Sequence, residues 1–242
     1  MTLLETEGHV QRLKEDLKIM GLKRMSLRLV WKVLTNKKIN REVFMDVITK
    51  IWRVVDSVEI EATSKNLFTF YFRSEDDRHH MMTGGPWTFN GALIVLVELT
   101  GRGVVKGLSL SYADFWVQIN RVPLLCQTEE IAWFLGEMIG AVSNTDMGMP
   151  GDWPGEFMRV RVMIDIGKPL HRCVRVDALG DVVETIMLLW YKRLLNHCFQ
   201  CGRLGHSTSE CLTNSDDNVP TGETNLPFEA SLKATMPDWW WS

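Results

Sequence analysis

Residues 198–211 read Cys198-Phe199-Gln200-Cys201-Gly202-Arg203-Leu204-Gly205-His206-Ser207-Thr208-Ser209-Glu210-Cys211, a Cys-x2-Cys-x4-His-x4-Cys spacing. So short a segment cannot bury a core of its own, so something other than burial must tie it together. Three thiols and one imidazole form a donor set for tetrahedral Zn2+. The Cys-x2-Cys step lets a tight turn aim two thiolates at one ion. Gly202 and Gly205 let the backbone fold back so that His206 and Cys211 close the cage. Four protein ligands leave no place for water, so the expected zinc is structural rather than catalytic. Metal binding would then supply most of the folding energy of residues 196–212.

The remaining cysteines, Cys126 and Cys173, stand apart and read as small buried side chains. Five cysteines with three in one cluster do not make a disulfide framework; they fit a reduced, intracellular chain. Hydrophobic residues make up 45% and charged residues 24%, which excludes a wholly disordered chain. The longest apolar runs, residues 92–97 and 186–191, are too short to span a bilayer. The start Met1-Thr2-Leu3-Leu4-Glu5 lacks the pattern of a secretory signal. No membrane partner is expected. There is no P-loop, no Gly-x-Ser-x-Gly and no His-Glu-x-x-His, and no His-x-Glu accompanies the Cys-x2-Cys as a zinc deaminase would need. The chain therefore reads as a non-enzyme without a small-molecule substrate.

A net charge of −3 conceals an asymmetry. Residues 1–53 hold twelve Lys/Arg against six Asp/Glu, whereas residues 212–242 hold one Lys against five Asp/Glu. A basic body that meets phosphates and an acidic tail that does not is one reading; solvated surface on both is the other.

Organisation follows from periodicity. Val10, Leu13, Leu17 and Met20 predict a helix over residues 5–22 with Gly21 as its stop, within an N-terminal segment 1–24. Residues 25–105 read strand, helix, strand, strand, helix, strand. The first helix is capped by Asn40 and carries an apolar stripe of Phe44, Val47, Ile48, Ile51 and Trp52. This βαββαβ order is that of ferredoxin-like and RNA-recognition domains. The RNA-recognition signature, laid on residues 65–72, puts Leu67 and Thr69 at the base-stacking places and turns Phe68, Phe70 and Phe72 toward the helices. The fold is thus expected without its usual stacking face.

A linker at Gly101, Gly103 and Gly107 leads to a second small α/β segment, 106–192, which could be a distant version of the first. Its strands are expected at 115–122, 157–164, 172–176 and 183–191. Thr128 caps a helix that ends at Gly140. Arg159, Arg161 and Arg175 are candidates for a second basic face, the alternative being ordinary solvated strand sides. Residues 213–242 are polar, with three prolines, and read as a flexible acidic tail ending Trp239-Trp240-Trp241-Ser242. The whole is an α+β chain closed by the metal motif.

The Cys/His motif is that of the zinc knuckle, a reader of single-stranded nucleic acid. With Gly84-Gly85-Pro86-Trp87-Thr88-Phe89-Asn90-Gly91, with Phe115-Trp116-Val117-Gln118-Ile119 followed by Val122-Pro123-Leu124, and with Asp165-Ile166-Gly167-Lys168-Pro169-Leu170, it makes residues 26–211 resemble plant proteins derived from LINE-type (non-LTR) retrotransposons. Those proteins pair a domain of unknown function with a CCHC zinc knuckle. Tyr191-Lys192-Arg193-Leu194-Leu195 departs from the Tyr-Glu-Arg-Leu-Pro-like run that usually precedes the knuckle there.

The resemblance implies nucleic-acid binding without catalysis. In strong binders, apolar side chains just after the first Cys and just after the His form a base platform. Here Phe199 fills the first place and Ser207 the second, so half the platform is polar. The expectation is weak, largely sequence-nonspecific binding of single-stranded RNA or DNA. Cys198, Cys201, His206 and Cys211 would hold Zn2+, Phe199 would stack a base, and Arg203, Lys192 and Arg193 would meet phosphates. The alternative is a protein-interaction module with a protein partner, in which the knuckle is only structural.

Overall fold

The computed structural model describes residues 8–52, 58–99, 101, 105–146, 157–212, 226–228 and 230–234. Two antiparallel five-stranded sheets and four helices make a mixed α+β chain.

The first sheet holds β1 (Arg28–Val33), β2 (Glu59–Ser64), β3 (Leu67–Tyr71), β4 (Trp87–Phe89) and β5 (Ala92–Glu98), in the order β2-β3-β1-β5-β4. Helix α1 (Glu15–Ser26) precedes it, α2 (Arg41–Trp52) joins β1 to β2, and α3 (Glu75–Thr83) joins β3 to β4. Strand pairing sets Trp31 opposite Phe68 and Leu96, and Leu29 opposite Phe70. Side chains alternate across a strand, so these residues share one face. Phe44 and Ile48 of α2 and Met81 of α3 cover that face, completing a core with Trp31, Phe68, Phe70, Phe72, Phe89 and Ile94. Phe68 and Phe70 of β3, and Phe72 just beyond it, are thus core, as their alternation predicts. Asn40 caps α2: its Oδ1 accepts from the amides of Glu42 at 3.0 Å and Val43 at 3.3 Å.

Leu67 and Thr69, at the stacking places, are also buried, and the Thr69 hydroxyl lies 3.0 Å from that of Thr63. On β5, Leu93 and Val95 join the core of the second sheet. The two units therefore share apolar packing.

The second sheet holds β6 (Tyr112–Asn120), β7 (Ala141–Asp146), β8 (Phe157–Asp165), β9 (Cys173–Asp177) and β10 (Glu184–Tyr191), in the order β7-β8-β6-β10-β9. Helix α4 (Glu129–Glu137), capped by Thr128 at 3.3 Å from the Ile131 amide, joins β6 to β7. Counted from its own first strand, this sheet repeats the order of the first. A loop at residues 166–172 stands where the first unit has α3. Phe115, Val117, Val160, Val162, Leu189 and Tyr191 face α4 in one core.

Several expectations are corrected. Helix α1 starts at Glu15, not near residue 5, and runs through Gly21 to Ser26. Gly21 has open space around it, while Glu15 and Asp16 in the first turn and Lys23 and Arg24 in the last complement the helix dipole. None of its residues is buried. Residues 1–7 lie outside the described residues. Strands β4 and β7 were not expected. The candidates for a basic face are each paired with a carboxylate: Arg159 with Asp146 at 2.8 Å, Arg161 with Asp114 at 3.5 Å, and the exposed Arg175 with Glu184.

Of the expected tail, the described residues 226–228 and 230–234 include docked positions. Leu232 is buried in the second core, Lys233 bridges to Tyr191 in parallel, and the Ala234 amide donates to the Tyr191 carbonyl at 3.1 Å. An apolar Phe228 and Leu232 within the polar stretch account for the docking. The tryptophans at 239–241, and residues 213–225, lie outside the described residues. No helix among the described residues is long and apolar enough to cross a membrane.

Candidate metal centre

Strand β10 delivers the chain to the motif. Beyond Leu194, the chain forms a small hairpin in which His197 bridges to Leu204, the Cys198 amide donates to the Arg203 carbonyl at 2.9 Å, and the Gly202 amide donates to the Cys198 carbonyl at 2.8 Å. Gly202 and Gly205 adopt φ of 70° and 91°, the left-handed region that glycine enters freely. Close approach also requires Gly202 to be glycine, since a Cβ there would stand 2.4 Å from the Phe228 ring. After His206, Ser207 begins a short turn: its amide and hydroxyl donate to Glu210 at 3.0 and 2.8 Å. That turn carries Cys211 back to the cluster.

The ligand atoms of Cys198, Cys201, His206 and Cys211 all lie within 4.8 Å of one another. Cys201 Sγ and His206 Nε2 are 3.4 Å apart, so Nε2 faces the thiols. A tetrahedral ion with bonds of about 2.0–2.3 Å sets its donors roughly 3.5–3.8 Å apart, close to what these side chains provide. The four residues could hold a metal ion, and the sulfur-rich donor set suits a borderline-soft one. Burial, with Cys198 and Cys211 alongside, pushes the Cys201 thiol up to about 11. A bare Cys201 thiolate is thus disfavoured there, and a bound cation would favour it.

The predicted contact residues are placed unevenly. Phe199 is half-buried, edge-on to His197 with centroids 4.9 Å apart, and its amide donates to Thr208 Oγ1 at 2.9 Å. Arg203 is exposed on the motif itself. Arg193 turns away: Nη1 donates to the Gly84 carbonyl at 2.7 Å and the guanidinium lies 5.6 Å from the centre of the Trp87 ring. Lys192 is half-buried, and burial, followed by the charges of Arg193 and Arg159, lowers its pKa. It belongs to a local cluster of positive charge rather than to the exposed rim of the motif. Thr208 and Asn196, which brace the motif, were not singled out from sequence; Thr208 is visible there only as one of several hydroxyl residues between His206 and Cys211.

The motif docks on the first unit as well as the second. Asn196 packs on Gly91, and Gly205 faces Leu34. Between these two contacts lies a cleft of about 560 Å3, with His206 and Ser207 on one wall and Lys37, Lys38 and Val43 among the residues of the other.

A sequence family described as a domain of unknown function, DUF4283, matches residues 22–101, the stretch that holds the end of α1 and the first sheet. The chain is also similar to an uncharacterized Arabidopsis thaliana protein, At4g02000, with 24% identity over 166 residues. The match covers 62% of this chain and 50% of that protein, so the chain spans about half the length of the curated relative it matches. Residues 22–101 are thus similar to the DUF4283 domain found in plant proteins, in a chain that carries a possible metal centre at its C-terminal end.

Proposed function

We propose that the chain is a zinc-dependent, non-enzymatic protein that binds single-stranded RNA or DNA weakly and with little sequence preference, and that it derives from a LINE-type retrotransposon. The four donors gathered within 4.8 Å are the observation that carries the reading. Zn2+ is the metal that a Cys3His cage with no open position fits best. The first unit supports a ferredoxin-like assignment, because β1, β2, β3 and β5 alone run in the order β2-β3-β1-β5. Its role is then to carry the knuckle, since buried Leu67 and Thr69 offer no aromatic stack. Half-buried Phe199 offers one base a ring face, and exposed Arg203 meets a phosphate. The free thiols of the cage fit a reduced, intracellular setting.

A protein-interaction module is the second reading. It is favoured by α1, whose Leu17, Ile19, Met20 and Leu22 are all exposed. Titration of a labelled single strand at two salt concentrations separates the two. Nucleic-acid binding predicts affinity that falls steeply with salt and is lost in Cys201→Ser. Salt-independent affinity, or equal binding by Cys201→Ser, contradicts it.

A further inference from the structure

The polar residue at the second platform position has a structural counterpart across the cleft. Ser207 and its neighbour His206 form one wall of a space of about 560 Å3, within the 300–1,000 Å3 typical of small-ligand sites. The opposite wall comes from the β1–α2 loop and the start of α2. It presents half-buried Ile39 and exposed Val43, the latter 50% exposed. Lys37 and Lys38 stand exposed in the same loop. One carboxylate, Glu210, also lines the space; it accepts from the amide and hydroxyl of Ser207. Two exposed ammonium groups against one engaged carboxylate leave the cleft with a positive excess, and apolar surface lies beneath it.

We propose that this cleft is the second half of the nucleic-acid site. An unpaired base lodges between Val43 and Ile39 on one side and His206 and Ser207 on the other, and Lys37 and Lys38 contact the flanking phosphates. This rests on the knuckle reading above and deepens it. The first unit supplies the apolar surface that the knuckle lacks after its histidine. The docking of Asn196 on Gly91 and of Gly205 on Leu34 fixes the distance between the two walls. The site is composite, so a knuckle separated from the first unit would bind more weakly than the full chain.

The test uses the full, zinc-loaded chain and a short fluorescein-labelled oligouridylate, with affinity measured across a salt series. Lys37→Gln/Lys38→Gln should flatten the slope of log K against log salt by about 1.4, the loss of two phosphate contacts on a single strand. Val43→Asp, at an exposed position that the fold tolerates, should weaken binding about tenfold or more. Lys18→Gln/Lys23→Gln on α1 removes the same charge elsewhere and serves as the control. Zinc content must stay unchanged in each variant. If the Lys37/Lys38 pair behaves like the α1 control and Val43→Asp binds normally while Cys201→Ser does not, the cleft is no nucleotide site and the knuckle reading stands. If the unmodified chain retains no strand, both readings fall.

Discussion

Around Phe44 the first unit builds a cluster of aromatic rings: Phe68 stacks on it at 4.3 Å, Phe89 meets it edge-on at 4.9 Å, and Phe70 lies between Phe44 and Trp31. The motif at residues 198–211 has nothing comparable. Its buried apolar contribution is Leu204, and its remaining buried side chains are Cys198 and Cys211. One region is held by many small contacts, each replaceable in part. The other has a few hydrogen bonds and four donor atoms that could hold an ion. Loss of a single contact should therefore be graded in the first and nearly all-or-none in the second.

The sharpest break of that comparison is metal removal. Structural zinc sites contribute apparent binding energies of about 10–16 kcal/mol. A strong chelator should unfold residues 196–212 while both sheets persist, read by hydrogen exchange as lost protection in the motif alone. Loss of protection in β1 and β3 at the same time would show that the regions are not separable. Next in size, Phe44→Ala should cost about 3–5 kcal/mol in chemical unfolding, because it opens a cavity among three rings. It should leave metal stoichiometry unchanged.

Arg161→Met probes the joint between the two units. The buried Arg161 donates to the carbonyls of Met82 and Thr83 at the end of α3 and pairs with Asp114 at 3.5 Å. Its removal leaves helix-end carbonyls and a carboxylate without their donor, for about 2–3 kcal/mol in urea unfolding. The smallest effect is expected from Asn40→Ala, which removes the cap of α2 for about 1 kcal/mol. Because Asn40 also lines the cleft, an unaltered strand affinity in that variant would confine its role to the helix.

Much of the first core was legible because its signals are local. Phe68, Phe70 and Phe72 alternate, Phe44 and Ile48 are one helical turn apart, and Asn40 and Thr128 sit where caps belong. The Cys/His cluster was legible for the same reason, being contained in fourteen consecutive residues. Strand β7 was not, because Ala141-Val142-Ser143-Asn144-Thr145-Asp146 is a mostly polar edge strand with a bulge at Val142/Asn144, and so lacks an apolar alternation. Strand β4 could have been found from Asn90-Gly91, whose φ of 48° and 79° make the tight hairpin turn those residues favour. Gly21 misled because a glycine within a helix only weakens it. The engagement of Arg193 with Gly84, the docking of Phe228 and the cleft at Ser207 bring together residues far apart in the chain, and no local pattern encodes them.

The most direct test of the central claim is native mass spectrometry of the reduced, full chain with a short single strand. One zinc per chain is expected, with strand-bound species only among zinc-bound molecules. A chain that carries no metal, or a metal-free chain that retains the strand, would contradict it.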